Sequence, residues 1–180
     1  VEVEVDLHVG LHSFLIVGLP DKALTQARER VGAALKNSGT KPPSQENRKI
    51  IVNLAPADVK KTGSQYDLAI AIGYLIATEQ VGKFETKNKI FLGELALDGG
   101  VRPVQGVLNI DCTASKKGFV GLYVPAENAA EAALSGGVSV FPVRTLSELI
   151  AHLEGRVVLS PVVVSEELFV PSPVAVDIAD

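Results

Sequence analysis

From Val1 to Val9, apolar and polar residues alternate with period two, as in a strand with one buried face. Gly10 to Ser13 interrupts the alternation as a turn, and Phe14 to Val17 reads as a second strand, so the two predict a hairpin. The period then lengthens. Pro20 and Asp21 suit a helix start, where proline is tolerated and an acid meets the positive helix end. Leu24, Ala27, Val31, Ala34 and Leu35 form a buried stripe, while Lys22, Arg28, Glu29 and Lys36 face outward. Gly39 ends that helix with the left-handed freedom of a C-terminal cap. Thr40 to Lys49, polar and carrying Pro42 and Pro43, predicts a mobile loop.

Ile50 to Leu54 is a short apolar strand running into the polar loop Pro56 to Tyr66. A helix follows from Asp67, read as its cap, to about Gln80. Leu68, Ile70, Ala71, Ile72, Leu75 and Ile76 make it apolar on nearly every side, which predicts the central buried helix. Gly82 to Asn88 is a polar connection. Lys89 to Leu97 predicts a strand, Asp98 to Gly100 a tight turn, and Val101 to Val104 the returning strand, demoted to an edge by Pro103. Val107 to Lys117 predicts a helix capped by Gly118, and Val120 to Val124 a strand. Pro125 to Leu134 is a proline-started helix, Val138 to Phe141 a strand, and Thr145 to Leu153 a helix with a Thr145–Glu148 capping box. Helices and strands alternating in this way predict an α+β protein, a mixed sheet packed with helices. Residues 1–153 read as one domain. Residues 154–180, with Pro161, Pro171 and Pro173, read as an edge strand or extended linker.

Composition narrows the classes. The 47% hydrophobic and 21% charged content is ordinary for a folded globular domain. No apolar run reaches the roughly 20 residues of a membrane helix, and the acidic start is not a signal peptide. A single cysteine, Cys112, excludes an internal disulfide and suits a reducing cytoplasm. A net charge of −4 opposes nucleic-acid binding through overall positive charge, which leaves local basic faces as the alternative. The absence of methionine predicts that the native start lies upstream.

Candidate chemistry is sparse. His8, His12 and His152 lack the spacing of a metal site. Neither a phosphate-binding loop nor a dinucleotide fingerprint occurs. Cys112, set mid-helix between Asp111 and Thr113, reads as a buried structural thiol. What remains is the strand–loop–helix junction at Gly63, Ser64 and Gln65, where backbone N–H groups and the positive helix end converge. Ser64 is a candidate nucleophile if a lysine reaches it, with Lys60 and Lys61 the near ones. The plainer reading is a turn or cap before Asp67.

Three blocks carry a family resemblance: Ile16 to Lys22 running into Ala27 to Arg30, Val52 to Asp58 with Tyr66 to Leu68, and Leu92 to Leu97. Over residues 1–153 the chain resembles the N-terminal domain of the magnesium-chelatase-like AAA+ ATPases of the ComM/YifB type. That domain is similar to the proteolytic domain of Lon and the C-terminal domain of RadA, a fold shared with a domain of a ribosomal small-subunit protein. In Lon-type proteases a serine at the start of the central helix and a lysine in a later helix form the catalytic dyad. Laid on this chain, the serine position falls on Gln65 and the lysine position on Ile110. An amide cannot attack a carbonyl and an isoleucine cannot carry a proton. The resemblance therefore implies a non-catalytic bacterial domain, with Ser64 as fallback nucleophile only if the alignment shifts by one residue. It also implies a hexameric, cytoplasmic whole protein that works on DNA in branch migration and natural transformation. ATP and Mg are then held in an AAA+ module after residue 180, and Arg28, Arg30, Lys60 and Lys61 are the candidate DNA contacts in this domain.

Overall fold

Val9 and Ser13 are near in sequence, yet the strands they bound, β1 (Glu2–Val9) and β2 (Ser13–Val17), do not pair with each other. In the computed structural model, which describes residues 1–82 and 84–163, β3 (Arg48–Ala55) lies between them. It runs antiparallel to β1 and parallel to β2. The expected hairpin is thus split by a third strand. The geometry allows this, because strands flanking a common neighbour lie about 9.5 Å apart. Four residue steps from Val9 to Ser13 reach up to about 14 Å. Period two survives: Val3, Val5, Leu7, Phe14 and Ile16 pack on the core, and Ile50, Val52 and Leu54 are fully buried.

The first helical region breaks at Gln26 into α1 (Lys22–Thr25) and α2 (Ala27–Asn37). Asp21 caps it, its Oδ1 accepting from the Leu24 N–H at 2.7 Å. All five residues of the expected stripe are fully buried. The loop read as mobile is pinned at Lys41, whose backbone N–H donates to Gln80 Oε1 at 2.7 Å and whose carbonyl accepts from the Tyr74 hydroxyl at 3.0 Å.

The central helix, α3 (Asp67–Ala77), rests on β1 with Gly73 facing Val5. The strand expected over Lys89–Leu97 is two short strands in different sheets, β4 (Lys89–Phe91) and β5 (Glu94–Leu95). Gly93, at φ +157°, makes the corner between them, where an added Cβ would lie 2.6 Å from Val101 Cγ1. Its carbonyl accepts from the Leu68 N–H and its own N–H donates to the Gln65 carbonyl, which ties the corner to the start of α3. The expected turn then forms a hairpin of β5 with β6 (Val101–Arg102).

After α4 (Val107–Lys116) come β7 (Gly121–Pro125), α5 (Ala129–Ala133), β8 (Ser139–Val143) and α6 (Leu146–Leu153). A second sheet, in the order β4-β7-β8, is parallel throughout. Parallel strands are covered on both faces, and all five residues of β7 are buried. Tyr123 stacks between Phe91 and Phe141, with centroids 4.9 and 4.8 Å away, on the α3 side. Leu122, Val124 and Val140 face α4 and α5. Thr145 caps α6, but the returning arm of the expected box binds the Arg144 N–H instead of its own cap. Beyond α6 the described part of the expected edge strand is extended. It is held by Leu159, which is buried, and by one hydrogen bond from the Val162 N–H to the Val140 carbonyl. The rest of that expectation lies outside the described residues. The fold is a mixed α+β architecture, as expected, and among the described residues no helix is long and apolar enough to cross a membrane.

Candidate functional site

At the start of α3, Asp67 occupies the first helical position, not the cap. Its carboxylate turns inward, and the reason lies in α2. Arg30 grips it twice, Nε to Oδ2 at 2.6 Å and Nη2 to Oδ1 at 2.9 Å, and the Leu95 N–H adds a third bond at 3.1 Å. Burial pushes the Asp67 carboxyl upward while the guanidinium and the Leu95 amide work against that. Arg30 in turn is held more firmly protonated by its hydrogen bond to Asp67. Such forked arginine–carboxylate contacts fix geometry, and this one joins α2, α3 and β5. Asp21 does the same for the loop, since its Oδ2 accepts from the Gly63 N–H at 3.1 Å.

The fallback nucleophile sits in this network without a base suited to it. The Ser64 hydroxyl donates to Glu94 Oε2, and Glu94 Oε1 faces Arg102 Nη1 at 3.6 Å. Lys61, expected in a solvent-facing loop, is 1% exposed, and its amine donates to the Pro56 carbonyl. Its backbone is fixed as well, bridging Leu19 and Asp21. Lys60 is exposed and takes no part. The lysine that the Ser64 reading requires is therefore not delivered to the hydroxyl.

Gln65 and Ile110, the two dyad positions named from the resemblance, line one cleft of about 1090 Å³. One wall is a stripe of α3 at helical spacing: Ala69, Ile72, Gly73, Ile76 and Ala77. The facing wall is a stripe of α4 that includes Ile110, Thr113 and Ala114. Val1, Glu2, Val3 and Val5, with Lys89 to Phe91, close the sides. A carboxamide and a branched alkyl group thus stand in a largely apolar cleft, and neither supplies a nucleophile or a proton carrier.

The candidate DNA contacts do not form one surface. Arg28 is half-exposed and pairs with Glu29 at 3.1 Å. Lys60 is exposed. Arg30 and Lys61 must be withdrawn as contacts, since one is committed to Asp67 and the other is buried. Cys112 is also corrected, being exposed. Asp111, one residue earlier, takes the inward position on α4 instead. The histidines are dispersed, on Asp6, on the Glu46 carbonyl and on Tyr123 respectively. Among the described residues no group of potential ligands could hold a metal ion. Sequence reading missed Glu94 and the lysines at the cleft mouth. The α3 stripe was available from spacing alone, but it was absorbed into a helix read as buried on all sides.

A mixed α+β domain with a cleft at the start of its central helix, lined by Gln65 and Ile110, defines the class. Residues 3–128 match the family described as "Subunit ChlI of Mg-chelatase", and the chain belongs to it. It is 39% identical to "Competence protein ComM" of Haemophilus influenzae over 156 residues, 87% of this chain and 30% of that protein. "Uncharacterized protein YifB" of Escherichia coli is 38% identical over 156 residues, with the same coverage. A "Lon protease" of Rhizobium meliloti is 26% identical over 136 residues, 73% of this chain and 17% of that protein. The chain spans about a third of the length of the curated relatives it matches most fully.

Proposed function

We propose that these residues form a non-catalytic domain of a magnesium-chelatase-like AAA+ ATPase that acts on DNA, as in branch migration during natural transformation. The observation that carries this reading is the pairing of Gln65 with Ile110 in one cleft, where a Lon-type peptidase would need a serine and a lysine. In this reading ATP and Mg are handled by a separate module of the whole protein, which works as a hexamer in the cytoplasm. The domain serves assembly, and its DNA contacts, where it makes them, come from exposed cations such as Arg28 and Lys60.

The peptidase alternative has less behind it. It needs a base beside Ser64, and Lys61 instead donates to the Pro56 carbonyl while Lys60 is exposed. The test is turnover: the 180-residue chain is expected neither to hydrolyse ATP nor to cleave casein. Casein cleavage that disappears in Ser64→Ala would overturn the proposal, as would ATP turnover by these residues.

A further inference from the structure

Two sheet edges open onto the cleft that holds Gln65 and Ile110. Among the described residues β1 pairs only with β3, and β4 only with β7, so each presents one side without a neighbouring strand. Free strand edges accept an added strand, whose main-chain bonds give affinity while alternate side chains find pockets. Between these edges the floor is apolar, built from the α3 stripe and from Ile90 and Ile110. Small residues at Ala69 and Ala77 leave room on that floor for a backbone to approach, while Val5 covers Gly73 between them.

The mouth is basic. Lys87, Lys89 and Lys117 line it, against a single lining acid, Glu2. Glu85 lies nearby, and its carboxylate accepts from the Lys87 N–H at 2.8 Å. Lys87 and Lys117 are exposed, and neither is in an ion pair among the described residues. An occupant with an apolar face and acidic flanks complements both parts of the cleft. A nucleic-acid strand fits less well. Base stacking needs a run of free aromatic faces, and with Phe91 stacked on Tyr123 at 4.9 Å and against the edge of Phe84 at 6.4 Å, only Tyr66 and Phe119 remain among the lining aromatics.

The outward residues of β1 include Glu2, Glu4 and Asp6, which repel an acidic neighbour, so the edge that suits one is β4, with Lys89 on it and Lys87 just before it. We propose that the cleft between β1, α3, β4 and α4 is a docking groove for an extended protein segment of alternating apolar and acidic residues, added along the free edge of β4 and held uncut. The last word rests on the non-catalytic reading above; the docking does not. An extended segment rises about 3.4 Å per residue, so about seven residues would reach along β4 and past both of its ends.

The experiment uses the 180-residue chain and a fluorescent peptide of about seven alternating valines and glutamates, read by polarisation. Two competitors are the same peptide with lysine for glutamate and a single-stranded thymidine oligonucleotide. The acidic peptide is expected to bind and the lysine peptide to fail as a competitor. Lys87→Glu with Lys117→Glu, both on the surface, should weaken binding about tenfold while circular dichroism stays unchanged. A cleft-filling Ala77→Phe should abolish binding without altering the salt dependence of any DNA binding. Equal binding of both peptides, no binding of either, or displacement by the oligonucleotide at lower concentration than by peptide would overturn the inference. Mass spectrometry of the bound peptide separates the two claims: a cleaved peptide refutes the non-catalytic reading and leaves the docking groove standing.

Discussion

Asp111 is fully buried in α4, where neither carboxylate oxygen makes a well-formed hydrogen bond and the Gly137 N–H offers only a weak contact. Burial pushes its carboxyl upward, with the backbone N–H of Gly137 offsetting part of the effect. The sign of the consequence is opposite to that of an ion-paired acid. Below an unfolded value of about 3.9 both states carry the proton and the group costs nothing electrostatic. As pH rises, the unfolded chain ionises first, the native state binds more protons, and stability falls until the raised native value is passed. Asp111→Asn keeps the shape and removes the titration. The variant is expected to gain on the wild type steadily from about pH 4 upward in urea titrations. A difference that stays constant with pH would contradict the assignment. Arg30 makes the contrasting case. Arg30→Ala leaves the Asp67 carboxylate buried without its guanidinium, and the expected loss is about 3–5 kcal/mol by urea unfolding at pH 7. A loss below about 1 kcal/mol would mean that the pair behaves as a surface bridge.

At the scale of elements, α3 decides the site. Gly73 sits in mid-helix, where alanine ordinarily gains about 1 kcal/mol. Here the added Cβ would fall 2.8 Å from Val5 Cγ2, on a β-branched side chain that has little freedom to move. Packing should win, and Gly73→Ala is expected to destabilise by roughly 1–2 kcal/mol. In a Val5→Ala background the same substitution should become neutral or stabilising. If both backgrounds give the same sign, α3 does not press on β1. What the sequence disclosed at this scale follows one rule: features set by near neighbours were legible. The stripe from Leu24 to Leu35, the Thr145 cap and the turn at Gly99 all appear where spacing put them. Features set by distant partners were not. Asp67 looks like a cap until Arg30, 37 positions away, claims it. The hairpin of β1 and β2 fails because β3 arrives from 30 residues later to take the space between them. Lys61 reads as a solvated lysine, and only the fold shows it folded back on Pro56. The two dyad positions were named through family resemblance alone, because neither Gln65 nor Ile110 carries any signal of its own.

At the scale of the whole molecule, charge and site must be weighed together. Removing Arg30 and Lys61 from the candidate DNA contacts leaves Arg28 and Lys60, on a chain whose net charge is −4. A domain with so few free phosphate contacts should bind duplex or branched DNA weakly, with a shallow logarithmic salt dependence of about two or fewer. Polarisation titrations at several salt concentrations measure that slope. A slope near five or above would require a basic surface that the described residues do not present. The central claim, however, concerns chemistry at the start of α3. The most direct measurement is labelling of the chain with a fluorophosphonate, followed by mass spectrometry of the peptide that carries Ser64. The account predicts an unmodified Ser64, its hydroxyl bound to Glu94 and unreached by any lysine. Stoichiometric phosphonylation of Ser64, lost when Lys61 is replaced by alanine, would contradict it.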